Sequence, residues 1–220
     1  GIRSNSIYSL LIDDRGAVWV GHFQAGLDYS LYQNGLFRTY DYPPLFNSAN
    51  LSIRSFVNKG QEKVIGSRDG LFYINEATGV VKSFVKPVLT SDLILTICFY
   101  QGEYYIGTYG GGMMVLNPET LSLKYFAQGD TELFQKGHIF CVKPDAKGNL
   151  WIGTSQGLFS YNGQTKQIKS FTSANSQLPE GNVYEVSFDS TGKGWIATET
   201  GMCIYDPASQ SLRSNVFPEG

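Results

Sequence analysis

Residues 153–157 read Gly153-Thr154-Ser155-Gln156-Gly157. This is G-x-S-x-G, the spacing of a strained strand-to-helix elbow that presents a serine nucleophile. Other residues able to do chemistry are sparse. The histidines, His22 and His138, stand alone in the sequence, and neither is expected to bind metal or to catalyse. The cysteines, Cys98, Cys141 and Cys203, lie far apart with no C-x-x-C. They read as small buried hydrophobes in strands, and no metal or cofactor is expected.

Whether Ser155 can act as a nucleophile depends on the element that carries it, and that element is repeated. Five segments share one frame, beginning at Ile7, Ile53, Ile94, Ile139 and Val183. An anchor glycine recurs as Gly21, Gly66, Gly107 and Gly153, with Ala197 in the fifth copy, at spacings of 45, 41, 46 and 44 residues. Each copy holds a polar Gly-bearing turn such as "DAKGN", a β-rich strand such as "LWIG", and a Gly-closed hairpin. A third strand, a turn such as "NPET" and a short last strand such as "IKSF" complete it. Asn, Asp, Pro and Gly suit those turns because they preset or tolerate turn dihedrals. Four short strands per copy, with no helical period between them, predict an all-β fold of β-propeller blades. The blades are expected at about 5–42, 50–86, 91–128, 137–173 and 181–217 of a single propeller segment, 1–220. The slot of Ser155 is filled by Arg68 in the second copy and Glu199 in the fifth. A hairpin, not a helix, follows it, so Ser155 is a turn residue.

Composition agrees with sheets. Charged residues make up 16% and aromatics 14%, against about 25% charged in an average soluble domain. Net charge is −2 without a run of like charges, which argues against a nucleic-acid partner. Apolar runs such as "LILTICFY" are of strand length, far below the ~20 residues of a membrane span, and no direct membrane insertion is expected.

The repeat resembles that of two-component regulator propellers. The match rests on Asp145, Gly148, Trp151, Ile152, Gly153, Gly157 and Leu158 in the fourth copy, and on Asp189, Gly192, Trp195, Ile196 and Gly201 in the fifth. In the first copy it rests on Asp14, Gly16, Trp19, Gly21, Gly26 and Leu27; copies two and three carry Val64 and Tyr105 in place of the tryptophan. The resemblance implies a non-catalytic, ligand-sensing segment of a periplasmic receptor region, belonging to a hybrid histidine kinase that responds to an oligosaccharide. It also implies seven-bladed rings, further blades or a second propeller in the same chain, and a homodimeric receptor. The ends agree with a longer array: "LPEG" opens the fifth copy at Leu178 and "FPEG" closes the chain at Gly220.

Two alternatives stand beside the sensor. One is a protein-interaction scaffold. The other is a glycoside hydrolase or lyase, because "DRGAVW" also resembles the Asp-box of sialidase propellers. A glycosidase needs two carboxyls converging on one bond, whereas Asp69 and Glu199 fall three copies apart; no catalytic residue is assigned.

Alternation of strand direction places the hairpins between second and third strands on the same face as the connectors between blades. That face gathers His22, Gln24, Arg68, Asp69, Tyr109 and Glu199, with Tyr8, Arg54, Phe140 and Tyr184 opening the first strands. These ten are the candidate ligand-binding residues: aromatic faces stack on a pyranose and charged groups bond its hydroxyls. The competing reading for Tyr8, Phe140 and Tyr184 is the core, since first strands of blades pack on both faces.

Overall fold

The computed structural model describes residues 2, 4–13, 15–30, 37–40, 51–126, 129 and 131–214. The chain divides into two compact units, Gly1–Ile97 and Cys98–Gly220. The first unit holds a sheet of β1 (Ile7–Ile12), β2 (Val18–His22), β3 (Leu27–Ser30) and β4 (Phe37–Thr39). Its second sheet is β5 (Ile53–Lys59), β6 (Glu62–Ser67), β7 (Leu71–Asn75) and β8 (Val80–Phe84). The division falls inside β9 (Ile94–Tyr100), which opens a third sheet with β10 (Glu103–Thr108), β11 (Met113–Leu116) and β12 (Leu123–Tyr125). The second unit continues with α1 (Thr131–Lys136) and the sheet β13 (Ile139–Pro144), β14 (Asn149–Thr154), β15 (Gly157–Asn162), β16 (Gln167–Phe171). The last sheet is β17 (Val183–Phe188), β18 (Gly194–Thr198), β19 (Gly201–Asp206) and β20 (Ser211–Ser214). Every sheet is a four-stranded meander in chain order. The expected blade limits at 42, 50, 128 and 217 lie outside the described residues.

The apolar core lies between consecutive sheets. In the first unit Trp19 and Leu27 of the first sheet meet Ile53, Phe56 and Ile65 of the second. In the second unit Met113 and Val115 meet Val142 and Ile152, and Trp151 and Leu158 meet Val183 and Ile196. Each such side chain contributes about 1.5–3 kcal/mol by leaving water. The anchor glycine recurs because these sheets touch there. A Cβ on Gly153 would lie 2.5 Å from Cys141 Sγ and 2.7 Å from the Val183 carbonyl oxygen. On Gly66 it would lie 2.5 Å from Ile94 Cγ2.

The helix α1 departs from the all-strand expectation. It has six residues, too few for a 3.6-residue period to show in sequence, and it drives Leu133 and Phe134 into the core between the third and fourth sheets.

The turns are closed by side chains. Asn75, Asn117 and Asn162 each accept two backbone N–H bonds from the residues that follow, a local bond that favours Asn in turns. At the first turn of the blade, Asp145 accepts from the amides of Lys147 and Asn149 and from the Trp151 indole at 2.9 Å. In the first blade Asp13 takes this role; Asp14, named in the resemblance, lies outside the described residues. Asp13 accepts from Arg15 N, Ala17 N, the Trp19 indole at 3.0 Å and Asn58 Nδ2 at 2.7 Å. The repeat therefore places its aspartate six residues before the tryptophan, a spacing different from the Asp-box. Burial pushes the Asp13 carboxyl upward, but the bonds from Trp19, Ala17, Arg15 and Asn58 outweigh it and hold the group below its ordinary value.

Candidate ligand-binding site

The first strand of four blades carries an irregularity at the same place. The pairing jumps from Ile7↔His22 to Ser9↔Gly21, from Ile53↔Ser67 to Ser55↔Gly66, from Ile139↔Thr154 to Cys141↔Gly153 and from Val183↔Thr198 to Glu185↔Ala197. The extra residues are Tyr8, Arg54, Phe140 and Tyr184. A bulge re-aims the side chain it carries, so Tyr8 and Tyr184 stand 46% and 44% exposed instead of filling the core. Phe140 is half-buried.

One backbone bond ties each bulge to the neighbouring hairpin. Phe23, Arg68, Ser155 and Glu199, the residues after the second strands, donate their N–H to the carbonyls of Ser6, Ser52, His138 and Asn182. These are the residues just before the first strands. Hairpin and connector thus share one face, as strand alternation requires. Ser155 sits in this hairpin: the Thr154 hydroxyl donates to the Gly157 carbonyl, and the third strand starts at Gly157. There is no elbow and no helix behind it.

In the first unit the bulge residues form a small cluster. Tyr8 and Phe23 lie 5.2 Å apart between ring centroids. The Arg54 guanidinium carbon sits 4.7 Å above the Tyr8 ring. The Arg54 Nε is buried with no hydrogen-bond partner among the described residues. Buried Ser52 joins two hairpins, since its hydroxyl accepts from Gln24 N at 3.2 Å and its carbonyl from Arg68 N at 3.1 Å. The side chains of Gln24, Arg68 and Asp69 are exposed beside it.

His22 is a correction. It is fully buried, with Nε2 3.1 Å from Asp28 Oδ2, and offers nothing to a ligand at the surface. It is the last residue of β2, where Ser67, Thr108, Thr154 and Thr198 stand in the other blades. Those hydroxyls turn back onto their own hairpin carbonyls; the larger imidazole turns inward to Asp28.

The second unit gathers a longer row of rings. Tyr109 lies 4.0 Å from His138, His138 6.1 Å from Phe140, and Phe140 5.2 Å from Tyr184. Tyr109 is 51% exposed. Asn182 finishes one end of the row, donating its side-chain N–H to the Tyr184 hydroxyl at 3.1 Å and its backbone N–H to Glu199 Oε2 at 3.2 Å. His138 Nδ1 is buried with no hydrogen-bond partner among the described residues. Tyr109, Phe140, Tyr184 and Glu199 were expected on this face, and His138 and Asn182 were not. Their signal was positional: both immediately precede a first strand, the slot also held by Ser6 and Ser52.

The row can do recognition chemistry. Aromatic faces offer stacking area, while Tyr184, Asn182 and Glu199 supply polar contacts at the edge. Among the described residues no three His, Cys, Asp or Glu side chains gather to hold a metal. Asp69 and Glu199 belong to different units. The cysteines are free and buried, and burial pushes the thiols of Cys98 and Cys141 up to about 12 and that of Cys203 to about 11. None is a thiolate nucleophile at neutral pH. No described helix is long and apolar enough to cross a membrane.

The family model described as two component regulator propeller matches residues 1–24 and 134–156. No curated protein sequence matches the chain. Among solved structures, the extracellular domain described as that of hybrid two component system BT3049 from B. thetaiotaomicron is 25% identical, with a TM-score of 0.81. The match covers 99% of this chain and 30% of that one. The corresponding domain of BT4673 from the same organism is 18% identical over 97% of this chain and 33% of its own, with a TM-score of 0.67. The β-propeller domain of Cps50 (Swd1) from Myceliophteria thermophila is 12% identical over 99% of this chain and 70% of its own, with a TM-score of 0.68. The chain thus spans about a third of the length of the two-component domains it resembles. With its five four-stranded meanders the chain has the β-propeller fold, and two of its segments match the two component regulator propeller model.

Proposed function

We propose that this segment is the non-catalytic, ligand-sensing part of a periplasmic two-component receptor, and that it takes an oligosaccharide on the shelf of Tyr109, His138, Phe140 and Tyr184. The shelf itself carries the ligand reading. Four rings in a row, two of them half-exposed tyrosines, present stacking area that folding alone would bury. The receptor reading is supported by the repeat match and by likeness to an extracellular two-component domain over nearly the whole chain.

Further blades or a second propeller of the same protein would complete the array. Leu10 stands 67% exposed, whereas Val142 and Val186, at the same position of the fourth and fifth blades, are buried against the preceding sheet. Ligand binding would shift a receptor homodimer between two arrangements only by its difference in affinity for them.

The test is a glycan array followed by calorimetry on Tyr109→Ala, Tyr184→Ala and the parent chain. A bound neutral oligosaccharide should lose roughly tenfold or more in affinity with either change. An array with no binder at millimolar concentration, or a binder indifferent to both changes, would remove the shelf as the site.

A further inference from the structure

The second unit has a second concavity, along its outer strands and apart from the rings of the shelf. It runs along β16 and is walled across from it by β20 and the turn before it. One part, about 500 Å³, lies beside Lys147, Asn149, Asn162 and Gln167. The other, about 440 Å³, lies beside Asn175, Gln177, Ser211 and Arg213. Each is within the ~300–1,000 Å³ range of small-molecule sites. Lys169 and Gln210 border both parts. The Lys169 ammonium donates to the Gln210 carbonyl at 3.2 Å and lies 4.8 Å from the Phe171 ring, forming a bridge between the two sheets. Two of its three N–H donors are left for another partner.

The floor of the larger part is aromatic. Trp151 stacks on Phe171 at 5.6 Å and meets Tyr205 at 4.6 Å. The walls are amides and hydroxyls. The charges are of one sign: Lys147, Lys169 and Arg213 border the groove, and no Asp or Glu lines either part among the described residues. This is a local bias, since the chain has 19 acidic and 17 basic residues. Asp145 is bonded to Asn149 and the Trp151 indole. Asp206 pairs with Arg213 at 3.9 Å, so the positive bias rests on Lys147 and Lys169.

We infer that this groove binds an acidic oligosaccharide. Amide-rich walls match a ligand carrying many hydroxyls, the cations match oxyanions spaced along it, and two joined cavities match an oligomer of several units. The inference does not rest on the shelf, and its test separates the two sites.

The probe is tetragalacturonate, titrated calorimetrically into the 220-residue chain at about 0.15 M salt, where exposed long-range charge effects are screened. Its full methyl ester, the same sugar without charge, is the control. Lys147 and Lys169 are exposed, so Lys147→Gln/Lys169→Gln leaves folding intact. Binding is expected, with the ester and the double variant each weaker by about tenfold or more, and Tyr184→Ala unchanged. No binding at millimolar concentration, or equal affinity for acid and ester, would overturn the inference. So would loss of binding in Tyr184→Ala with none in the double variant, which would move the ligand to the shelf. Equal binding of a glutamate tetramer would reduce the groove to charge collection and overturn it as well.

Discussion

Trp151 and Trp195 occupy the same position of adjacent blades and have opposite environments. Trp151 is 1% exposed, bonded to Asp145, and packed on Phe188 and Tyr205 of the following sheet. Trp195 is 39% exposed, while its aspartate, Asp189, bonds the Thr191 hydroxyl and the amides of Thr191 and Lys193. Trp19 resembles Trp151, being buried against Phe56 of the following sheet. The repeat's signature residue thus gains its burial from the next blade and not from its own. A blade is half of two interfaces, and the stability attached to a repeat residue depends on which side is covered.

The largest test of that contrast is truncation. Trp151→Ala should cost about 3–5 kcal/mol, and Trp195→Ala under about 1 kcal/mol, as for a partly exposed side chain. Guanidinium unfolding of both variants would measure the difference, and equal losses would break the comparison.

The anchor position gives a smaller version. Gly153→Ala should cost about 1–3 kcal/mol, because its methyl meets Cys141 and the Val183 backbone. Ala197→Gly in the fifth blade should cost about 0.5–1 kcal/mol, the backbone-entropy cost alone. Thermal unfolding that ranked Ala197→Gly above Gly153→Ala would contradict the packing account.

The aspartates sharpen it further. Asp13→Ala strands the Trp19 indole and the Ala17 amide and should cost about 1–3 kcal/mol. The Asp13 carboxyl is held below its ordinary 3.8, so its contribution is complete above that value. It fades as pH falls through the lower folded value. A pH series of unfolding free energies should show Asp13→Asn losing less on acidification than the parent chain. An identical acid limb would show that Asp13 titrates normally.

The mildest test needs no substitution. With thiols raised to about 11–12, iodoacetamide at pH 8 should label none of the cysteines before unfolding, and rapid native labelling of any one would contradict its burial.

Much of this was open to reading in the residues. Strand number, turn chemistry and the anchor glycine are local or periodic, and so was the sharing of one face by hairpin and connector. Of the candidate site, only the placement of residues was legible, and that in part. Tyr109, Phe140, Tyr184 and Glu199 fell on the expected face. His22, expected on that face, is buried, while His138 stands among its rings, because a side chain's direction at a strand end is set by what lies beneath it. Asp28 waits beneath His22, while the rings of Tyr109 and Phe140 flank His138.

The sequence by itself determined the repeat, its four strands, its turns and the place of Ser155 in a hairpin, since hydrogen bonding and dihedral preference act between near neighbours. Only the tertiary structure decided that bulges turn Tyr8 and Tyr184 outward, that Asp13 collects the bonds of its turn, and that a groove lined by no Asp or Glu among the described residues opens along β16. Those outcomes depend on how one sheet registers with and covers the next, and burial of that kind is a property of contacts some 45 residues apart, beyond the reach of any local pattern.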